Sequence, residues 1–129
     1  CERDGLQLNV RKTKEMIIDF RKKTYTKDPI KIKEEFIETC EKYKYLGLEI
    51  TKNLTWESHI DLTVKKAMKN LSCLRILKRF KLSPQILDLF YQATIVSTLT
   101  FGLSIWDVSI NESSHRKINK IRKIGMKIS

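Results

Sequence analysis

The spacing of hydrophobic residues changes near residue 56, and this change limits the fold more than any other feature of the chain. Before it, Ile30 and Ile32 alternate with lysines, which is the two-residue period of a strand. After it, apolar residues recur about every three to four positions, as in a helix with one buried side. We therefore expect an α+β fold, in which a small antiparallel sheet precedes a helical hairpin and a basic terminal helix.

Three antiparallel strands are expected in the first part of the chain. They fall in residues 15–20, 30–40 and 43–50, and Pro29 closes the polar turn between the first two. Short β-prone runs separated by polar residues are typical of such a sheet. The pattern divides the chain into three segments, residues 1–53, 54–110 and 111–129.

Two amphipathic helices are expected in the middle segment. The first follows Thr55, a candidate N-cap, and its lysines project away from an apolar side made by Ile60, Val64, Ala67, Met68, Leu71 and Leu74. The second begins at Ser83 and Pro84, a good N-cap followed by a proline at the first helical position. Its apolar side consists of Leu87, Phe90, Tyr91, Thr94, Ile95, Thr98 and Leu99.

A third helix is expected at the end of the chain, with Asn111 as its cap. It is basic except for a narrow apolar stripe, formed by Ile118, Ile121, Ile124 and Ile128. We expect this stripe to be exposed, and an exposed amphipathic helix often packs against a partner protein. One hypothesis is therefore a basic module for protein interaction, adopted by a host.

The charge balance favours a polyanionic partner. The chain has 26 Lys and Arg against 15 Asp and Glu, a net charge of +11, which attracts nucleic acid. Between Leu62 and Leu87 there is no acidic residue, and we expect seven residues there to follow a phosphate backbone without sequence preference, namely Lys65, Lys66, Lys69, Arg75, Lys78, Arg79 and Lys81. The alternative is an ordinary solvated surface. Of the aromatic residues near them, we expect Tyr45 and Trp56 to be in the core, whereas Tyr43 and Phe80 stay open as stacking residues.

The cysteines favour an intracellular protein, nuclear or cytoplasmic. Cys1, Cys40 and Cys73 are odd in number and far apart, so neither a disulfide framework nor a zinc site is expected. Cys73 lies within an apolar helical pattern and is expected to behave as a small hydrophobe. No uninterrupted apolar run reaches the ~18 residues that cross a bilayer, so we expect no membrane contact.

Three ordered blocks resemble the reverse transcriptases of non-LTR (LINE-type) retrotransposons, downstream of their catalytic Asp-Asp turn. Residues 43–50 resemble a strand beyond the palm's last motif, and residues 54–106 resemble the thumb-like helices that follow. The first block, GLQLNVRKTKEMIIDF, matches the family at Gly5, Leu6, Asn9, Lys12, Thr13 and Met16. The resemblance makes residues 1–53 a distal palm remnant and residues 54–110 a thumb-like region.

The same resemblance implies that the chain is a fragment of an RNA-directed DNA polymerase and not an enzyme by itself. The parent family holds Mg²⁺ with aspartates that lie upstream, whereas the aspartates of this chain are scattered and unpaired, at Asp4, Asp19, Asp28, Asp61, Asp88 and Asp107. No metal or cofactor is therefore expected. By resemblance Lys12 would stand on the pyrophosphate side, with Asn9 and Thr13 shaping its turn; the alternative is a solvated lysine.

A second resemblance concerns the tail, ESSHRKINKIRKIGMKIS, residues 112–129. It is similar to the short basic helix at the N-terminus of the AlkB homologue 8 proteins, which modify tRNA with a dioxygenase and a methyltransferase domain. No His-x-Asp motif of such a dioxygenase occurs within this segment, so neither activity is expected of these residues.

Overall fold

The structure, a computed structural model, describes residues 5–23 and 26–129. The expectations for Cys1 and Asp4 lie outside these residues. The chain forms two compact units, Cys1–Leu54 and Thr55–Ser129. The fold is α+β, as predicted: short strands make up the first unit, and helices make up the second.

The described strands of the first unit form three two-stranded sheets. β1 pairs in parallel with β4, whereas β2 pairs with β3 and β5 with β6 in antiparallel fashion. A 3₁₀ turn, Val10–Lys12, precedes them. The described strands are β1 (Lys14–Glu15), β2 (Lys31–Ile32), β3 (Glu35–Phe36), β4 (Glu38–Thr39), β5 (Lys42–Tyr45) and β6 (Leu48–Thr51).

The strand predicted at residues 43–50 is instead a hairpin. Leu46 and Gly47 have φ angles of 48° and 85°, as in the two-residue turns that reverse a chain between antiparallel strands. Leu48 is buried, whereas Tyr45, directly opposite it in the register, is 57% exposed. The prediction that Tyr45 belongs to the core is therefore wrong, because β5 is exposed along its whole length.

The strand predicted at residues 15–20 is also largely absent, since β1 ends at Glu15. Asp19 accepts hydrogen bonds from the backbone N–H of Arg21 at 3.0 Å and from its guanidinium at 2.6–2.8 Å. Such local side-chain bonds compete with strand pairing. The hydrogen bonds from Arg21 also hold the pKa of the Asp19 carboxyl well below its usual range.

Three long helical stretches build the second unit. The middle stretch runs through α2, a π-helical segment and α3 without leaving helical geometry; we call it the central helix. A 3₁₀ turn, Asp107–Ser109, follows α4. The elements are α1 (Glu57–Arg79), α2 (Pro84–Phe90), the π-helical segment (Tyr91–Val96), α3 (Ser97–Thr100), α4 (Leu103–Trp106) and α5 (Glu112–Ile128).

These three stretches share one core, which confirms most of the predicted apolar sides. Met68 and Cys73 are exceptions, because both are exposed on α1; each lies just beyond the edge of the buried side. The buried residues of the core are Ala67, Leu71 and Leu74 from α1, Leu87, Tyr91, Ile95 and Leu99 from the central helix, and Ile121 from α5.

Helix starts agree with the local signals where the signal is strong. Pro84 occupies the first turn of α2 after Ser83, as predicted. The Asn111 side chain caps α5 by accepting a hydrogen bond from the Ser114 N–H at 2.8 Å. α1 instead begins after Trp56, one residue later than the cap predicted at Thr55.

The isoleucine stripe of α5 is buried, and the prediction that it is exposed is wrong. Ile121 is 5% exposed, and Ile118, Ile124 and Ile128 pack against the core. The sequence shows an apolar stripe but not which surface covers it, and here α1 and the central helix cover it. The protein-interaction hypothesis therefore no longer has the observation that motivated it.

Pro84–Ser109 is long and apolar enough to cross a membrane by length and composition alone, with a mean hydropathy of 1.3 over 18 residues. The prediction from uninterrupted apolar runs missed this segment, because serine and threonine residues interrupt its apolar runs. Several of those hydroxyls donate to the carbonyl one turn earlier, as Thr98 does to Thr94. Core helices of soluble proteins have the same composition, so the absence of membrane contact remains a prediction.

Tyr91 fixes α5 against the central helix. It is buried, its hydroxyl donates to the Arg122 carbonyl at 3.1 Å, and burial raises its pKa. A Cβ placed on Gly125 would overlap Cε2 of the Tyr91 ring and would lie 2.8 Å from Cδ2. Glycine is therefore needed at this point, because any side chain would push α5 away.

We predict that Gly125→Ala destabilises the second unit. The added methyl overpacks the core at a cost of about 1–3 kcal/mol, which exceeds the ~1 kcal/mol that alanine contributes to an exposed helix. Urea unfolding followed by helical circular dichroism measures the change. Met126→Ala, one residue further along and exposed, is the control and should be nearly neutral. A more stable Gly125→Ala variant would show that α5 does not approach Tyr91 in this way.

Candidate nucleic-acid interface

All seven basic residues predicted to contact nucleic acid are exposed. Six lie on α1, and Lys81 follows its end with a φ of 54°. At 100° per residue, Lys65, Lys69 and Arg79 lie roughly opposite the buried side of α1. Arg75 lies closer to α5. Only part of the predicted set therefore shares one side of α1, and the contact of these seven residues with nucleic acid stays a prediction.

Lys78 differs from the other six, because its ammonium group donates to the Ile128 carbonyl at 2.7 Å. That carbonyl belongs to the last turn of α5, where carbonyl groups lack intrahelical partners and carry partial negative charge. Lys78 therefore joins the end of α5 to α1. Its charge is less available to a ligand than the charges of Lys65 and Lys69.

A second cationic line lies on α5, and the sequence analysis did not select it as a site. Its residues follow spacings of four, three and four, which place them on one side of the helix, and from Ser113 to Ser129 there is no acidic residue. That spacing is the signal that identifies the line in the sequence. Its members are Arg116, Lys120, Lys123 and Lys127.

The second unit carries most of the net charge. Residues 55–129 contain thirteen Lys and Arg and five Asp and Glu, which leaves +8 of the total +11. Two α5 cations have acidic neighbours: Lys117 pairs with Asp61 at 3.0 Å, and Arg116 pairs with Glu112 at 2.6 Å. Both pairs are exposed, so each contributes little stability.

A groove of about 380 Å³ lies between α1 and α5. Its floor is aliphatic, and its edges are basic on both sides. Among the residues that the structure describes, no acidic side chain forms an ion pair with Lys69, Arg75 or Lys120 at these edges. The groove is lined by Val64, Met68, Lys69, Leu71, Ser72 and Arg75 from α1, and by Lys117, Lys120, Ile121 and Ile124 from α5.

The aromatic residues considered for base stacking do not gather at this groove. Trp56, predicted to be in the core, is half-buried, with its ring edge-on to His59 at 6.1 Å. Phe80 is 72% exposed at the end of α1. Tyr43 lies in the first unit. None of these rings lines the groove between α1 and α5.

Lys12 lies at the end of the 3₁₀ turn and is exposed. The Asn9 side chain accepts a hydrogen bond from the Lys12 backbone N–H at 3.3 Å, and the Thr13 hydroxyl donates to the Asn9 carbonyl at 2.8 Å. Asn9 and Thr13 thus shape the turn that presents Lys12, whereas a role of Lys12 at pyrophosphate stays a prediction. Across residues 5–23 and 26–129, no cluster of three or more His, Cys, Asp or Glu could hold a metal ion.

One family model matches part of the chain, residues 56–97, under the description "Alkylated DNA repair protein alkB homolog 8, N-terminal". The match covers about a third of the chain, namely α1 and most of the central helix. It supports the predicted similarity to AlkB homologue 8, but not on residues 112–129, where we located it. No curated protein and no solved structure matches the chain, and none of these comparisons supports the reverse transcriptase resemblance.

We predict that Lys78→Ala lowers the stability of the second unit by about 0.5 kcal/mol, because it removes a cation from the carboxyl end of α5. Urea unfolding of the full chain measures this effect. Lys66→Ala is the matched control, since Lys66 is an exposed lysine of the same helix. If the two variants are equally stable, the bond from Lys78 to Ile128 does not contribute to folding.

Proposed function

We propose that the second unit binds nucleic acid without sequence preference, through contacts between its basic side chains and phosphates. The observation that carries this proposal is the concentration of exposed basic side chains on two adjacent helices, α1 and α5, in a unit with a net charge of +8. Phosphate contacts of Lys and Arg supply most nonspecific binding. The description of the matching family as a DNA repair protein supports the same ligand class.

Binding requires that the cations of α1 and α5 attract the same polyanion. Each line alone is ordinary, because a charged helix side is usually only solvated. Side by side they produce a field of one sign over a wide surface, which raises the local concentration of a polyanion and its association rate. Seven cations belong to the predicted set on and after α1, and four more belong to the line on α5.

Salt dependence tests the proposal most directly. We expect the logarithm of the affinity for a short nucleic acid to fall linearly with the logarithm of the salt concentration. Lys65→Ala with Lys69→Ala should reduce the slope by about two, because each removed lysine leaves one phosphate without its cation. Lys22→Ala with Lys23→Ala, which removes two exposed lysines of the first unit, is the charge-matched control. A flat salt response would refute the proposal.

A second proposal concerns origin: the chain is the distal part of a LINE-type reverse transcriptase and is not itself catalytic. It is supported by the ordered sequence blocks and by the Asn9–Thr13 turn around Lys12. It implies that this chain needs no cofactor and that it resides in a reducing intracellular compartment, nuclear or cytoplasmic.

The genomic sequence immediately before Cys1 tests this origin. We expect an open reading frame with an aromatic-x-Asp-Asp turn a short distance upstream, because the resemblance places the metal-binding aspartates there. An upstream sequence without such a turn would contradict the assignment. Primer extension by the purified chain in Mg²⁺ would contradict it as well, because the chain has no Asp-Asp pair.

A further inference from the structure

We propose that the groove between α1 and α5 receives unpaired bases, so that the second unit prefers single-stranded nucleic acid to duplex. This inference rests on the proposed function and specifies its ligand. The cationic lines alone do not distinguish a single strand from a duplex, because both expose a phosphate backbone. The groove does, because its floor is apolar.

The floor offers contacts that a phosphate cannot use. Met68 is 56% exposed and lines the groove together with Leu71 and Ile121, which are buried. Exposed apolar surface is stabilised by contact with another apolar or aromatic surface and gains nothing from an anion. In a duplex the base faces are stacked on each other, whereas in a single strand they are free to contact methionine and isoleucine side chains.

The edges of the groove hold the backbone on either side of such a base. Lys69 and Arg75 lie on the α1 edge, and Lys120 lies on the α5 edge. Among the residues that the structure describes, none of the three has an acidic partner in an ion pair. A strand that crosses the groove can therefore place one phosphate on each edge and its base on the floor between them.

The size of the groove favours a base over a protein helix. Its volume of about 380 Å³ lies near the lower end of ligand-sized pockets, which span roughly 300–1,000 Å³. An amphipathic helix in a groove needs room for anchors over two or more turns.

Fluorescence anisotropy with one oligonucleotide, single-stranded or annealed to its complement, tests the inference on the full chain. We expect the single strand to bind about tenfold more tightly at equal salt, since apolar contact between an unpaired base and the floor adds to the phosphate contacts. Met68→Ala should weaken single-strand binding about fourfold, the effect of losing apolar contact equal to roughly one buried methylene group, and should leave duplex binding unchanged. Met126→Ala, also exposed and outside the groove, is the matched control.

A variant that binds the single strand more tightly must be folded, so it excludes misfolding as the cause of the weaker binding of Met68→Ala. Met68→Trp places a ring over the floor and should tighten single-strand binding several-fold without a change for duplex.

Equal affinity for single strand and duplex, with no effect of either Met68 variant, would overturn the inference while the proposed function stands. No binding to either form would refute both. Displacement of the single strand from the groove by an acidic amphipathic peptide of higher affinity would identify a protein site and overturn the inference.

Discussion

The contact between Tyr91 and Gly125 is the constraint on which the second unit depends. A buried tyrosine ring and a residue without a side chain allow α5 to approach the central helix closely. That approach buries Ile121 beside Leu71 and sets the position of α5 against α1. The candidate nucleic-acid interface is therefore a consequence of core packing. The cations of α5 lie near those of α1 only when α5 is packed against the central helix.

Packing two cationic helices side by side is electrostatically unfavourable, and the structure offsets this only in part. Asp61 pairs with Lys117, and Lys78 bonds the last turn of α5. The remaining cations repel one another, which destabilises the compact state unless counterions or a polyanion neutralise them. A binding partner with many negative charges would relieve this repulsion, and stability and binding would then be linked.

Local signals predicted the helices, whereas features that need a distant partner were missed. α1, the start of the central helix at Pro84 and the Asn111 cap depend on residues close in sequence. The parallel pairing of β1 with β4 depends on which segments meet, whereas the β5–β6 turn at Leu46 and Gly47 is a local feature that was overlooked. Among the site residues, the α1 lysines follow from charge counting, but the groove appears only when α5 packs against α1.

The segment that matches the family model contains only one of the two helices that form the proposed site. Residues 56–97 include α1 and most of the central helix but not α5. Without α5, the aromatic ring of Tyr91 and the buried face of Leu71 would be left without the surface that covers them. The helix that completes the core therefore also supplies Lys120 and one edge of the groove. The ligand specificity that we infer belongs to the three-helix unit and not to the matched segment alone.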